Sequence, residues 1–135
     1  FLFNYANDIE TLSMMMKNVF INLKNGGRLI AIVPNPDFIN GRKDTIPYGY
    51  LVEEMSSNPS SIKVKMTFTG DKPFSIVFTQ WNREIYEETL TEAGFGDISW
   101  THFSVSDEGI HRLGLDFWRS TIENPKSIIL KAAKK

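Results

Sequence analysis

The sequence predicts an α/β fold built on a parallel sheet, with an antiparallel β-hairpin inserted into it. Three observations carry this. A stretch with helical apolar spacing, Ile9 to Leu23, leads directly into the short apolar run Arg28-Leu29-Ile30-Ala31-Ile32-Val33. Residues Ile62 to Thr69 alternate strictly between apolar and polar. After Trp81 the chain returns to helix and strand in turn.

The chain opens on Phe1-Leu2-Phe3 with no initiating Met. Free ends are usually polar and frayed, so this opening reads as the end of a buried strand in something longer. Asn7-Asp8-Ile9-Glu10 has the N-x-x-E form of a helix start, with Asn7 as the cap. Ile9, Leu12, Met15, Met16, Val19, Phe20 and Leu23 then recur at helical spacing. Lys17 and Lys24 lie towards the C-terminal end, where they suit the helix dipole. Asn25-Gly26-Gly27 stops the helix, because glycine accepts the left-handed conformation that ends one. Residues Arg28 to Val33 lack alternation, as in a strand covered on both faces, and Pro34 stops them. Strand end, helix and buried strand form a β-α-β unit, which implies a parallel sheet.

Asn35 to Pro59 is punctuated by Asn35-Pro36, Asn40-Gly41, Pro47 and Asn58-Pro59 and reads as irregular. Within it, Gly49 to Met55 suits a short helix or a strand. Ile62, Val64, Met66 and Phe68 point one way and Lys63, Lys65, Thr67 and Thr69 the other, a half-buried strand. Gly70-Asp71-Lys72-Pro73 turns the chain into a second strand, Phe74 to Trp81. Asn82 can cap a helix from Arg83 to Ala93 that Gly94 ends. Ile98 to Val105 reads as a strand, Asp107 to Asn124 as one helix or two, and Lys126 to Ala133 as a last strand. Lys134-Lys135 reads as a frayed tail.

Composition narrows function chiefly by exclusion. A chain of 135 residues suits one domain or a large part of one. The formal charge of −1 gives no electrostatic case for nucleic acid or an anionic membrane. No cysteine is present, which removes disulfides, thiol catalysis and cysteine metal sites and agrees with a cytoplasmic setting. No apolar run is long enough to span a bilayer, and no basic run leads into an apolar one, so neither a membrane span nor a signal peptide is expected. Ten Phe, four Tyr and three Trp are many for this length. They suit a bulky core or a pocket for a flat ligand.

Four stretches, in this order, resemble class I S-adenosylmethionine (SAM)-dependent methyltransferases. Leu23-Lys24-Asn25-Gly26-Gly27-Arg28-Leu29-Ile30-Ala31-Ile32 is similar to the family's L-K-P-G-G signature before its fifth strand, with Asn25 where the family often has Pro. Tyr86 to Phe95 (YEETLTEAGF) resembles the next helix, ending in A-G-F before the sixth strand. Ile128 to Ala132 resembles the antiparallel seventh strand, and Phe1 to Ala6 the end of the fourth. The stretch Asn35 to Trp81 lies outside the resemblance. Phe1 to Ala6, with Val105-Ser106-Asp107-Glu108-Gly109 and Phe117-Trp118, looks most like small-molecule methyltransferases related to toxoflavin synthase.

The resemblance implies the C-terminal half of a Rossmann-like methyltransferase sheet, with strands in the order 4-5-7-6. Residues 1–34 would hold the end of strand 4, a helix and strand 5. Residues 35–81 would be an acceptor-side insertion, and residues 82–135 would complete the sheet. The implied cofactor is SAM. The family's glycine-rich loop after its first strand, and the acidic residue ending its second, would lie upstream of Phe1, since no G-x-G-x-x-G occurs here. The chain alone is therefore expected to be inactive, its parent acting on a small acceptor that could be aromatic. The competing reading is a non-enzymatic α+β ligand-binding or dimerisation module. That reading predicts a stable monomer or dimer, whereas in the methyltransferase reading strand 4 lacks its partner and the open apolar edge would favour a homo-oligomer.

The candidate site residues follow. Asn4 and Tyr5 would end strand 4 at the carboxyl edge of the sheet, where open α/β folds bind ligands; the resemblance places them near the cofactor. The plain alternative is a turn beside a packed aromatic. Asn35 follows strand 5 at the same edge and suits an acceptor contact or, more ordinarily, an Asx turn before Pro36. Tyr48, Tyr50, Trp81 and Trp118 could line an aromatic acceptor pocket, each offering a flat face with a polar tip; the alternative for each is the core. His102 and His111 are the only histidines. Either could serve as a general base, and together they make no convincing metal site.

Overall fold

The computed structural model describes residues 1–135. The helix predicted near the start is α1, Ile9–Asn22. Its cap is Asp8, whose carboxylate accepts from the Thr11 amide at 2.7 Å. Asn7, the expected cap, lies one residue too early; its Oδ1 instead accepts from Lys63 Nζ at 2.6 Å. Strand β1, Arg28–Pro34, follows the Gly26-Gly27 turn. The first half then continues through a 3-10 turn at Lys43–Tyr48, strand β2 at Tyr50–Asn58 and strand β3 at Ser61–Phe68. Strand β4 is Phe74–Trp81, and α2, Arg83–Ala93, starts two residues after it ends. Strand β5 is Gly96–Thr101, followed by α3 at Asp107–Leu113, α4 at Leu115–Glu123 and β6 at Ser127–Ala133.

Two three-stranded sheets result, with orders β1-β6-β5 and β2-β3-β4. In the first, β6 lies antiparallel between β1 and β5. That is the 5-7-6 part of the expected order. Because β6 separates the two strands that run the same way, every ladder is antiparallel and no parallel pair forms. The expected strand at Phe1–Phe3 is absent. With no strand alongside to pair with, Phe3–Tyr5 closes its own bonds as a 3-10 turn, Tyr5 N to Leu2 O and Ala6 N to Phe3 O.

Helices α1 and α2 cover one face of the β1-β6-β5 sheet. Leu12, Met16, Tyr86 and Leu90 meet Val33, Ile128 and Leu130 there, and all seven are fully buried. Removing this much apolar surface from water is the main stabilising term. The other face is bare: Ile30 and Ile32 are exposed, which corrects the expectation that β1 is covered on both sides. The second sheet follows its alternation. Val52, Val64, Met66 and Phe78 share a smaller core with Phe38, while Trp81, on the opposite face of β4, enters the main core. Strand β2 was ambiguous because its pattern is irregular; only Val52 is buried, and the ladder slips between Glu54 and Ser56.

The helix ends are set by chemistry the sequence only partly displays. Gly94 takes φ +107° and the Phe95 amide donates back to Leu90 O, while the Phe20 ring closes over that turn. Asn82 flanks α2 but its side chain does not cap it; its amide donates to Pro59 O. Lys134 is not a frayed tail. Its backbone pairs with Gly26 and Gly27, and its ammonium donates to the Phe20 and Leu23 carbonyls at the end of α1.

Candidate functional site

Strand β1 ends at Pro34, beside the start of β6 at Ser127, and β5 ends nearby at Thr101. Residues that follow β1 and β5, and those that precede β6, therefore meet at one edge of the sheet. It is the carboxyl edge of the two strands that run the same way. A cleft of about 640 Å³ opens there, walled by His102 to Ser106, by α3 and α4, by Pro125-Lys126-Ser127 and by Tyr50. That volume suits a small molecule.

Local structure fixes each wall. Ser106 caps α3, its hydroxyl accepting from the Gly109 amide at 3.1 Å. Gly114, at φ +80°, separates α3 from α4. Trp118 Nε1 then donates to Gly109 O at 2.9 Å, tying α4 back to α3. Tyr48 stacks on Trp118 at 6.3 Å and 14°, and lies edge-on to Phe117 at 5.2 Å. Its hydroxyl donates to the Phe117 carbonyl. Tyr50 lies 6.3 Å from Tyr48 at 30°. Tyr48, Tyr50 and Trp118 are thus brought together, with Tyr48 the brace between the other two.

A polar clamp holds the floor. Asn35 is buried; its Oδ1 accepts from the Asp37 amide, an Asx turn, and its Nδ2 donates to Pro125 O at 2.8 Å. Its backbone amide donates to Lys126 O. Gln80 Nε2 lies 3.1 to 3.2 Å from the carbonyls of Asn35, Pro36 and Phe38. Asn124 exchanges two bonds with the Ile39 backbone. Asn35 thus positions the floor, and Gln80 and Asn124, which sequence reasoning missed, support it.

The remaining candidates, His102 excepted, lie elsewhere. Trp81 is buried in the main core with its Nε1 unpartnered and does not line the cleft. Asn4 is buried beside β4 with Oδ1 unpartnered, and Tyr5 is exposed. His102 lines the cleft; His111 does not. Lys126, also missed, lies in the floor. Burial pulls its ammonium below the ordinary lysine range, and the same effect, with Tyr48 and Asp44 nearby, raises the Tyr50 hydroxyl. The signal was available: an antiparallel strand begins where its neighbours end, so the residue before β6 belongs to the carboxyl edge.

The residues present do not by themselves fit SAM. Such a site needs bare backbone at a strand-to-helix turn and a carboxylate for ribose hydroxyls. The glycines with positive φ sit at helix ends, in the β3–β4 turn or in the stretch before β2, and no strand runs through one into an α-helix. Asn4 offers one buried amide oxygen, which is too little to hold a nucleoside. No three His, Asp or Glu side chains come together as a metal site, and no helix is long and apolar enough to cross a membrane.

No family model matches the sequence, and no curated protein does. Solved structures do match. A protein from Listeria monocytogenes assigned as a SAM-dependent methyltransferase is 19% identical, with TM-score 0.59, over 98% of this chain and 57% of its own length. CalS10, an amino pentose methyltransferase of Micromonospora echinaspora solved with SAM bound, is 13% identical, with TM-score 0.53, over 98% and 54%. A SAM-dependent methyltransferase from Clostridium acetobutylicum is 15% identical, with TM-score 0.52, over the same shares. The fold is that of class I SAM-dependent methyltransferases, and the chain spans little more than half the length of the structures it matches.

Proposed function

We propose that this chain forms the acceptor-binding part of a SAM-dependent methyltransferase that acts on a small molecule, which could be aromatic. The cleft at the carboxyl edge supports this most directly. Its wall carries Tyr50 and Trp118, braced by Tyr48, and its place on the sheet is where α/β folds bind ligands. In this reading the aromatic wall holds a flat acceptor in a fixed orientation, and catalysis by the whole protein rests on that proximity. His102 is the imidazole within the cleft. Calorimetry with SAM and Trp fluorescence with small aromatic compounds test the reading. The expected result is no measurable SAM binding and a saturable change in tryptophan emission that is lost in Trp118→Phe. Micromolar SAM binding by this chain alone, or no aromatic response, would overturn it.

A second feature supports self-association. The outer edge of β1 is unpaired, and Ile30 and Ile32 stand exposed beside it. An open apolar edge invites pairing with another copy. The variant Ile30→Lys should then shift light scattering from a dimer or larger assembly to monomer. A wild-type chain already monomeric at high concentration would contradict this.

A further inference from the structure

Lys126 is placed unusually for a lysine. Most lysines keep the ammonium in water, whereas this residue is largely withdrawn into the floor of the cleft and burial depresses its basicity. It takes part in none of the ion pairs and its ammonium donates no hydrogen bond to the protein. Its near neighbours are aromatic faces, Tyr50 at 5.2 Å and Phe1 at 5.5 Å from Nζ. No Asp or Glu lines the cleft; its titratable side chains are Lys126, His102 and Tyr50.

A half-buried cation with no counter-charge is costly unless something supplies one. Aromatic faces compensate only in part. A ligand that brought an anionic group would complete the set, with the ammonium as its donor. The rest of the wall (Val105, Ile110 and Trp118) is apolar or aromatic and would take a flat uncharged body. We infer that the cleft selects a small planar acid, its carboxylate held by Lys126 and its ring against Tyr50 and Trp118. The inference rests on the acceptor reading above and adds the charge of the acceptor.

Matched probes separate the two. Benzoate and benzamide have the same ring and nearly the same shape but differ in charge, and their binding can be followed by tryptophan fluorescence or by NMR. Wild type should bind benzoate at least tenfold more tightly than benzamide. In Lys126→Met that preference should vanish while benzamide binding persists, and Lys126→Arg should restore most of it. Unchanged benzamide binding in the Met variant also shows that it folds. Equal binding of the two probes to wild type would overturn the role of Lys126 and leave the cleft as an aromatic site. Failure of both probes to bind would overturn the cleft reading, and this inference with it.

Discussion

Gln80→Met isolates the polar clamp beneath the cleft. Gln80 is 3% exposed. Its amide nitrogen serves three carbonyls, those of Asn35, Pro36 and Phe38, and its Oε1 accepts from Asn40 at 3.0 Å. Methionine has similar length and volume, so little cavity opens and the change removes mainly hydrogen bonds. Two N–H donors and one acceptor are lost, at about 1 kcal/mol each, and the carbonyls left buried add to that. The expected loss is about 3–4 kcal/mol, or a fall in Tm of roughly 10–14 °C for a chain of this size. Urea unfolding followed by far-ultraviolet circular dichroism measures it, with the slope unchanged. Hydrogen exchange should accelerate most at Phe38 and Ile39, whose amides donate to Asn35 O and Asn124 Oδ1. A variant within about 0.5 kcal/mol of wild type, as a typical surface change would be, would refute the clamp.

Three further outcomes are expected. Tyr86→Phe removes a buried hydroxyl that has no partner, so stability should be unchanged or should rise by up to about 1 kcal/mol; a clear loss in thermal unfolding would reveal a bond that the geometry lacks. Gly94→Ala should cost about 2 kcal/mol, since φ is +107° and the new Cβ would lie 2.8 Å from the Phe20 ring. Gly26→Ala, left-handed but in open space, should cost about half of that, and equal losses would show that the Phe20 contact is unimportant. The Asp8 carboxylate, held below its usual pKa of 3.8 by the Thr11 amide, contributes stability above that value, and the contribution is lost as pH falls through the depressed one. Asp8→Ala should therefore flatten the acid limb of a stability-against-pH curve; an unaltered limb would exclude the cap.

Most elements were legible because burial imposes a period. The helices at Ile9–Asn22 and Arg83–Ala93 and the strands β3 and β4 each repeat apolar residues at the spacing their shape requires. Strand β2 was not legible, since most of its length is exposed and little selects an alternating pattern. The strand expected at Phe1–Phe3 failed for a different reason: a strand is defined by its neighbour, and the apolar triplet alone could not show that none lies alongside. Around the cleft, Tyr48, Tyr50 and Trp118 stood out in the sequence because aromatic rings are conspicuous. Gln80, Asn124 and Lys126 did not, because their partners lie 40 to 85 positions away in sequence or, for Lys126, because the meaning comes from which strand ends it adjoins. Trp81 shows the opposite case. It has the right chemistry for a ligand wall, but its parity on β4 turns it into the core.

An acceptor cleft without a cofactor site is the central proposal for this chain. The most direct test is to map amide shifts in the ¹⁵N-labelled chain on titration with SAM and, separately, with benzoate. Saturable benzoate shifts at His102 to Ser106, Lys126 and Ser127, with no saturable response to SAM, are predicted. Micromolar SAM binding at those amides, with benzoate silent there, would contradict the account.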